Sequence, residues 1–487
     1  VKYRPINKNH AFPTPPAGWM TWYAVKFDAC EQAVLENAAK QKELFADYGA
    51  NTVWVDWEWC HSALNDEHPS PEIDFFHPDA KRYPHGLGYV ADKIKEQGFI
   101  PALWVGPTVE NILNDFAKEN ENSVYANWQS WCSQYFYNIT SEAYIKEFIP
   151  KAFRKVVEDG YEAVKWDCLP VTLLTADEFH SHFADPSITT EQALKNVIQA
   201  GRDTLGKDFY MMSCSGEWDR SLLFAADVFD GARIGGDIFT WDEFIQNFLD
   251  RIMRFYAFHN NMFYCDPDNL VIRPEHNSYE QAISRTSIFS LLGLPITLGD
   301  DLRELPEDRI ELIRRALPPL DIRPMDIRET NFDGTKVIAN LRVSKPFEEW
   351  NVVSITNLLE EATSLTIDFD KELHLEEGEY LVYDYWNHKF IGIVSKEILL
   401  ELPAYGSVVY SIRKYTGKKQ IISTSRHISQ GAYDLVDVCL GEDGVLRGRS
   451  NVVKNEPYII TYYEPNEKKV SEKVICTEET GEVEWNI

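Results

Sequence analysis

The stretch Ala163-Val-Lys-Trp-Asp-Cys-Leu169 is a short apolar run that ends with two charged residues, Lys165 and Asp167. Further along the chain, Arg233-Ile-Gly-Gly-Asp237 closes another apolar run in the same way, with a basic residue and a carboxylate. Because side chains alternate between the faces of a strand, we expect Lys165 and Asp167 on one face and Trp166 on the other. Two carboxylates at the ends of two strands are the groups needed to cleave a glycosidic bond.

The same arrangement is repeated through the first 300 residues: short apolar runs alternate with longer segments of helical periodicity. The runs predict eight strands: Gly18–Ala24, Thr52–Trp59, Ile100–Pro107, Ala163–Leu169, Phe209–Cys214, Gly231–Asp237, Met262–Asp268 and Pro295–Asp300. This alternation is typical of a (β/α)8 TIM barrel, which we place at residues 1–322. A doubly wound open sheet is the alternative, although no glycine-rich phosphate loop follows the first run.

Polar side chains cluster at the carboxyl ends of the predicted strands: Asp56, Lys165, Asp167, Cys214, Arg233, Asp237, Asp266, Asp268 and Asp300. Barrel enzymes build their active sites at that rim. Carboxylates scattered at random through loops would not favour the same end of so many strands. The pattern therefore predicts an enzyme.

The pattern changes after the predicted helix Pro306–Ala316, where prolines interrupt the chain. Segments such as Lys336–Arg342 and Trp350–Asn357 follow one another without a long helix between them. They predict an antiparallel β-sandwich at residues 323–413. Residues 414–487 stay β-like, and the sequence allows either an extension of the sandwich or a small extra β-unit.

The charge balance narrows the choice of partner. Against 77 acidic residues the chain has 48 basic ones, which gives a net charge of −29. This charge disfavours nucleic acid and anionic membranes and suits a neutral small molecule. No apolar stretch of about 18 residues is present to span a bilayer. We expect a soluble protein, either cytoplasmic or exported with its leader removed, and the oligomeric state stays open.

Metal and cofactor chemistry has no sequence support. The eight cysteines are scattered, with no C-x-x-C pair and no zinc spacing, so we expect free buried thiols. The twelve histidines form no His-Glu-x-x-His motif, and no Gly-x-Ser-x-Gly elbow is present. We therefore expect no metal and no cofactor.

Asp167 and Asp237 are the candidate catalytic pair. Lys165 on the same face would hold Asp167 ionised, as a nucleophile requires, although a rim salt bridge would look the same. Asp237 suits an acid/base catalyst if its pKa is raised, and Phe239 and Trp241 could supply the apolar surroundings.

Other rim residues are candidates for sugar binding. Trp22 and Trp104 end the first and third runs, where a sugar ring could rest on their flat faces. Asp56 could bind a pair of hydroxyls. Arg233 either lowers the pKa of Asp237 or, as we expect, points at a substrate hydroxyl. A structural role is an equally good explanation for Trp22, Trp104 or Asp56 taken alone.

Six motifs occur in a characteristic order: Gly18-Trp-Met-Thr-Trp22, Val55-Asp56-Trp57, Lys165-Trp-Asp167, Arg233-x3-Asp237, Asp266-Pro-Asp268 and Leu291-Leu-Gly-Leu-Pro-Ile-Thr-Leu-Gly-Asp-Asp301. Over roughly residues 15–320 the chain resembles the α-galactosidase clan, glycoside hydrolase families 27 and 36, and looks closer to family 36. The resemblance implies a retaining mechanism with Asp167 as nucleophile and Asp237 as acid/base. It also implies sugar contacts from Trp22, Asp56, Lys165, Cys214 and Arg233.

Two departures from the family pattern bear on the choice of sugar. The family often has two adjacent acids after the second strand, which bind the galactose 4- and 6-hydroxyls. Here Asp56 is followed by Trp57, so that one contact is lost or is supplied by Glu58. The segment Cys214-Ser-Gly-Glu-Trp218 also differs from a glycine-rich family 36 segment and would reshape the pocket near the sugar's 2-position.

The sequence thus predicts a retaining exo-acting α-glycosidase, first of all an α-galactosidase that hydrolyses terminal α-D-galactosyl residues of an oligosaccharide or glycoside. An α-N-acetylgalactosaminidase, another α-glycoside specificity and a galactosyl transglycosylase are alternatives with the same chemistry. A non-catalytic carbohydrate-binding protein is the alternative from another class, and the two intact carboxylates argue against it.

Overall fold

A computed structural model describes residues 11–60, 74–110, 114–126, 135–216, 218–332 and 334–487. The chain divides into two compact units. The first contains most of residues 11–271 together with Thr297–Glu304, and the second contains chiefly Ile272–Ile296 and Leu305–Ile487. The domain boundaries predicted after residues 322 and 413 stay predictions.

A parallel sheet contains part of each of the eight predicted runs, and the end of the first run lies in the helix Thr21–Val25 instead. Within the described residues its strands are β1 (Ala17–Met20), β2 (Thr52–Val55), β3 (Ile100–Val105), β4 (Ala163–Trp166), β5 (Tyr210–Cys214), β6 (Gly231–Arg233), β7 (Tyr264–Asp266) and β8 (Ile296–Leu298). Neighbours in the sheet are neighbours in sequence from β1 to β7, and β8 lies beside β1. The strands are almost entirely buried, as expected for a parallel sheet covered on both faces.

The sheet closes on itself through the seventh strand. β7 pairs with β6, whereas Asn269–Leu270, which follows it almost directly, pairs with β8. Pro267 and Asp268 separate the two segments; proline has no N–H for a ladder, and Asp268 has a left-handed φ of 71°. The two edges of the sheet are therefore joined by one continuous segment of chain, and the sheet forms a closed barrel. The predicted TIM-barrel fold is confirmed.

Large side chains fill the space inside this sheet. One buried cluster contains residues from several strands and from the segment before β1: Phe12, Met20, Tyr23, Trp54, Ala102, Ala163, Tyr210, Met212, Tyr264 and Val271. Inward-pointing layers of this kind make a TIM barrel a packed core and not a pore. The pocket described below can therefore open only beyond the strand ends.

Helices alternate with the strands as predicted. They are α1 (Thr21–Val25), α2 (Glu31–Phe45), α3 (Gly86–Glu96), α4 (Asp115–Glu119), α5 (Ile149–Glu158), α6 (Leu169–Glu178), α7 (Thr190–Leu205), α8 (Asp219–Leu223), α9 (Trp241–Phe244), α10 (Asp250–Phe255), α11 (Tyr279–Leu291) and α12 (Glu307–Ala316). The side chains of Thr189 and Ser278 cap α7 and α11. A π-helical segment, Ile245–Leu249, separates α9 from α10.

The second unit contains the antiparallel strands predicted from the alternating pattern. They are β9 (Ile327–Phe332), β10 (Lys336–Lys345), β11 (Glu348–Asn357), β12 (Thr363–Asp368), β13 (Tyr380–Asp384), β14 (Lys389–Val394), β15 (Glu397–Leu402) and β16 (Ser407–Lys414). Six of these form a sheet in the order β9-β10-β11-β16-β13-β14, and β12 pairs with β15. A buried cluster that includes Ile338, Val353, Ile398 and Leu400 joins the two sheets into a sandwich.

The final strands form two further small sheets: β17 (Gln420–Thr424), β18 (Leu435–Leu440), β19 (Leu446–Val452), β20 (Tyr458–Glu464), β21 (Lys469–Ile475) and β22 (Gly481–Asn486). The orders are β17-β20-β21 and β18-β19-β22. The buried side chains of Ile421, Leu435, Ile460 and Trp485 belong to one cluster that packs these sheets together. Three short strands outside the barrel, Val109–Glu110, Val124–Ala126 and Tyr135–Tyr137, form a separate sheet.

The described cysteines are all free thiols, and Cys132 lies outside the described residues. Five of the seven are buried or half-buried, but Cys439 and Cys476 are exposed, contrary to the expectation of buried thiols. In the described part of the chain, no helix combines the length and the apolar character needed to cross a bilayer.

Gly18 allows β1 and β2 to pair. A Cβ at this position would lie 1.8 Å from the carbonyl oxygen of Thr52, its partner across the sheet. We expect Gly18→Ala to lower the free energy of unfolding by about 3 kcal/mol, because the two strands must separate. Gly88→Ala in α3 is the matched control: its nearest neighbour would be 3.5 Å away, and we expect a gain of up to about 1 kcal/mol. Equal urea midpoints for the two variants would contradict this.

Candidate active site

Six of the nine polar residues predicted at the strand ends line one pocket, and Asp266, Asp268 and Asp300 do not. Its volume is about 400 Å³, within the usual range for small-molecule sites. Its described lining is Trp22, Asp56, Trp57, Lys165, Asp167, Cys168, Pro170, Val171, Leu174, Cys214, Gly216, Trp218, Arg233, Gly236 and Asp237. Seven of the eight predicted site residues are in this set, and Trp104 is the exception.

Asp167 follows the last residue of β4 and is held by two hydrogen bonds. Its Oδ2 accepts from the indole N–H of Trp104 at 2.9 Å, and its Oδ1 accepts from the backbone N–H of Cys168 at 2.6 Å. Cys168 has a left-handed φ of 62°, which turns the chain sharply between β4 and α6. Both hydrogen bonds fix the orientation of the carboxylate.

Lys165 and Asp56 form a buried ion pair on the pocket floor. Lys165 Nζ donates to Asp56 Oδ2 at 3.0 Å, and both side chains are almost completely buried. Burial alone would lower the pKa of Lys165, but the Asp56 carboxylate raises it above its usual value. A charged ammonium thus faces the pocket close to the strand end that carries Asp167.

Asp237, four residues beyond β6, is about half exposed (49%) and lies in a strongly positive environment. Its Oδ1 accepts from Arg233 Nη2 at 2.5 Å, and its Oδ2 accepts from the indole N–H of Trp22 at 3.2 Å. Burial acts to raise the pKa of Asp237, but Arg233, Lys165 and Trp22 together hold it well below the usual range.

The raised pKa expected for Asp237 is therefore wrong, because its pKa lies below the usual range. Phe239 packs against Tyr23 with ring centroids 4.6 Å apart, and Trp241 packs against Phe244. Neither aromatic ring lines the pocket among the described residues. The guanidinium of Arg233 contacts the Asp237 carboxylate, which agrees with the alternative that Arg233 lowers the pKa of Asp237. A contact between Arg233 and a substrate hydroxyl stays a prediction.

Arg233 is itself fixed from several sides. Its Nη1 lies 3.5 Å from Cys214 Sγ, its register partner on β5, and its Nε lies 3.4 Å from Asp268 Oδ1. Burial raises the pKa of Cys214 well above its usual value, so this thiol is neutral. The position of the guanidinium is therefore set by neighbours on β5 and after β7.

Two sequence expectations about binding residues need correction. Trp104 is only 2% exposed and does not line the pocket; its ring cannot support a sugar, and it instead donates to Asp167. Glu58 is completely buried, accepts from the Thr21 hydroxyl at 3.3 Å and is absent from the described lining, so it does not replace a missing acid. Glu217 of the altered segment lies outside the described residues.

Several lining residues were missed by the sequence reasoning. Trp57 lies 5.5 Å from Trp22, ring centroid to ring centroid, and joins it in one aromatic wall. Trp218, 46% exposed, adds another ring, and the first turns of α6 add an apolar surface: Pro170, Val171 and Leu174. The local sequence pattern does not distinguish these positions from ordinary helix or core residues. Only their location directly after β2, β4 and β5 indicated that they could line the pocket.

Metal binding by acidic, histidine or cysteine side chains has no structural candidate among the described residues, where no group of three or more comes together. The chemistry available in the pocket is that of two carboxylates, Asp167 and Asp237, flanked by an ammonium and a guanidinium. Such a set can transfer a glycosyl group by nucleophilic attack and proton transfer.

The chain is similar in sequence to proteins named as α-galactosidases, although no protein-family profile matches it. It is 21% identical over 309 residues to the "Probable alpha-galactosidase" of Dictyostelium discoideum, a match that covers 62% of this chain and 66%, just under two thirds, of that protein. It is 19% identical over 422 residues to the α-galactosidase of Cyamopsis tetragonoloba, covering 84% and 88% of the two chains.

A solved structure gives a closer likeness of fold. The family 27 (GH27) β-L-arabinopyranosidase of Geobacillus stearothermophilus superposes with a TM-score of 0.68 at 16% identity, over 83% of this chain and 97% of that one. At such identities the likeness shows the fold. The chain therefore has the barrel and C-terminal β-domain fold of the α-galactosidase-like enzymes, with glycoside hydrolase family 27 among its structural neighbours.

Proposed function

We propose that the protein is a retaining exo-acting α-glycosidase, an α-galactosidase that hydrolyses terminal α-D-galactosyl residues. The observation that carries this proposal is the placement of Asp167 and Asp237 in one pocket, at the ends of β4 and β6. Each has its own environment: Trp104 and the Cys168 N–H hold Asp167, whereas Arg233 holds Asp237. The roles come from the resemblance, which implies Asp167 as nucleophile and Asp237 as acid/base.

The reaction runs in two displacements. Asp167 attacks the anomeric carbon while Asp237 gives its proton to the glycosidic oxygen, so that the aglycone leaves and a glycosyl ester forms on Asp167. Asp237 then removes a proton from water, which attacks the same carbon and restores both carboxyl groups. A retaining enzyme requires the two groups about 5–5.5 Å apart, and this separation stays a prediction.

The remaining polar residues would bind the sugar. Asp56 would bind a pair of hydroxyls, and Lys165, which donates a hydrogen bond to Asp56, would bind the sugar in the same region. Cys214 and Arg233 lie side by side and would face the 2-position. Trp22 offers a ring face in the pocket while its N–H contacts Asp237. These roles, the closer resemblance to family 36 and the three-part domain division are parts of the proposal.

Trp57 favours a second candidate, a β-L-arabinopyranosidase, the activity named for the Geobacillus stearothermophilus neighbour. β-L-Arabinopyranose has the ring configuration of α-D-galactopyranose but lacks the 6-hydroxymethyl group. Beside Asp56, where a second acid would bind that group, the pocket wall instead contains the Trp57 indole, packed against Trp22 and Phe27. An indole fills space and offers no carboxylate to a hydroxyl.

A panel of 4-nitrophenyl glycosides tests both candidates through kcat/KM. We expect α-D-galactoside to be hydrolysed, and Trp57→Asp to raise the preference for galactoside over β-L-arabinopyranoside at least about tenfold, because one charge-assisted hydrogen bond is gained. Trp57→Phe is the control and should keep the ratio. A wild-type preference for the arabinopyranoside above tenfold would establish the second candidate, and preference for the α-N-acetylgalactosaminide would overturn both.

Two further outcomes concern the class of protein. Galactoside bound in a calorimeter but left intact would make the chain a carbohydrate-binding protein and overturn the enzymatic proposal. Galactosyl products on an added sugar acceptor, in excess over free galactose, would identify a transglycosylase with the same two carboxylates.

A further inference from the structure

A third carboxylate, Asp268, lies behind the guanidinium that contacts Asp237. Its Oδ1 is 3.4 Å from Arg233 Nε, and the side chains of Asp268 and Arg233 are 2% and 3% exposed. Another nitrogen of the same guanidinium, Nη2, is 2.5 Å from Asp237 Oδ1. One buried guanidinium therefore bridges two carboxylates, of which only Asp237 reaches the pocket.

Asp268 also fixes the backbone beside Asp237. Its Oδ2 accepts from the N–H of Ile238, the next residue after Asp237, at 2.8 Å. Its backbone N–H donates to Asp266 Oδ1 at 3.1 Å, and its φ of 71° is one that few residues other than glycine adopt. The side chain thus uses one oxygen for Arg233 and the other for the loop that carries Asp237.

The charged groups around this bridge are all within the barrel. Asp268 faces Arg233, Asp237, Asp266 and the hydroxyl of Tyr23. The groups that face Asp237 are Arg233, Lys165, Trp22, Tyr23, Cys214, Asp268 and the carboxylate of Glu243. Burial raises the pKa of Asp268 to about 7, although Arg233 acts in the opposite direction. An ionised Asp268 compensates part of the positive charge that Arg233 presents to Asp237.

We propose that Asp268 is a positioning residue that weakens the hold of Arg233 on Asp237, so that Asp237 can carry the proton needed for the first displacement. This inference rests on the proposed function. Arg233 stabilises the Asp237 carboxylate, whereas protonation of the leaving oxygen needs the carboxylic acid. The negative charge of Asp268 beside the same guanidinium weakens the stabilisation of the ionised Asp237. The hydrogen bond from the Ile238 N–H to Asp268 keeps the loop that carries Asp237 in place.

Asp268→Asn is the test, because it removes the charge but keeps an oxygen for the Ile238 N–H. Arg233 then acts on Asp237 without compensation, and the pKa of Asp237 falls further. Above about pH 7, where Asp268 is ionised in the wild type, the basic limb of the kcat/KM profile, which reports loss of the proton from the acid, should lie about one pH unit lower in the variant. At about pH 8, kcat/KM for an alkyl galactoside should fall about tenfold. A 2,4-dinitrophenyl galactoside, whose leaving group needs no proton, should change less than about twofold.

Asp230→Asn is the matched control. Asp230 pairs with Arg202 at 2.6 Å, both are largely buried, and the residue precedes β6 at the end of the strand away from the pocket. We expect it to lower Tm without moving the pH profile. An unmoved basic limb in Asp268→Asn, or equal slowing of both galactosides, would overturn the inference. Failure of the wild-type protein to hydrolyse any glycoside would instead overturn the proposed function, so the two failures are distinguishable.

Discussion

Asp167→Asn should lower glycoside turnover by at least about 10⁴-fold, because an amide cannot form the glycosyl ester. The protein should still fold, since the amide oxygen can accept one of the two hydrogen bonds from Trp104 and Cys168. The measurement is kcat on the best galactoside of the panel, with Tm recorded for the same preparation. Added azide should restore activity and give the β-galactosyl azide, because the anion attacks directly on the face that the carboxylate used.

A surface variant shows whether charge removal alone matters. Asp227 is exposed and pairs with Lys195 at 2.6 Å, so Asp227→Asn should leave kcat unchanged. Wild-type turnover in Asp167→Asn would remove the nucleophile assignment, and with it the retaining mechanism. An α-configured azide product would also contradict the assignment.

Asp237→Ala should have the second largest effect, and its size should depend on the leaving group. General acid catalysis contributes about 10²–10⁴-fold, so an alkyl galactoside should lose that factor in kcat/KM. A 2,4-dinitrophenyl galactoside should lose far less in its first displacement, and its turnover should then be limited by breakdown of the glycosyl ester. Azide should accelerate that breakdown and yield the α-galactosyl azide.

The contact between Arg233 and Asp237 makes this variant informative for a further reason. Truncation at residue 237 leaves a buried guanidinium with Asp268 as its remaining carboxylate partner. Equal losses for both galactosides would mean that the variant disturbs sugar binding, and Asp237 would not be the acid. Formation of the β-azide would exchange the roles of Asp167 and Asp237.

The strand pattern predicted the fold because the strands of a parallel barrel are short and buried, and buried strands are visible in the sequence as short apolar runs. All eight runs contain an observed strand, and the change to antiparallel strands follows the prolines after α12. The start of helix α6 was not predicted, because Cys168 and Leu169 are apolar and were assigned to the strand beyond Asp167. The π-helical segment after α9 has no sequence signal at all.

The site was predictable as a set of positions but not as a set of contacts. The alternation of strand and helix places Asp167 and Asp237 at one rim. The resemblance to the α-galactosidase clan, which rests on the order of the motifs, implies their roles as nucleophile and acid/base. Which nitrogen meets which carboxylate depends on register and rotamers between strands that are distant in sequence. For that reason Trp104 was expected under a sugar but donates to Asp167, and the contact of Arg233 with Asp237 was only one of two alternatives.

The divided seventh strand has a consequence for how the protein should fail on heating. Its two segments hold opposite edges of the sheet, and Asp268, which contacts Arg233, lies between them. Any opening of the barrel at this seam displaces Asp268 before most of the core is exposed to water. On heating, activity should therefore be lost at a lower temperature than the far-ultraviolet circular dichroism signal, because the pocket is disturbed as soon as the barrel opens at this seam.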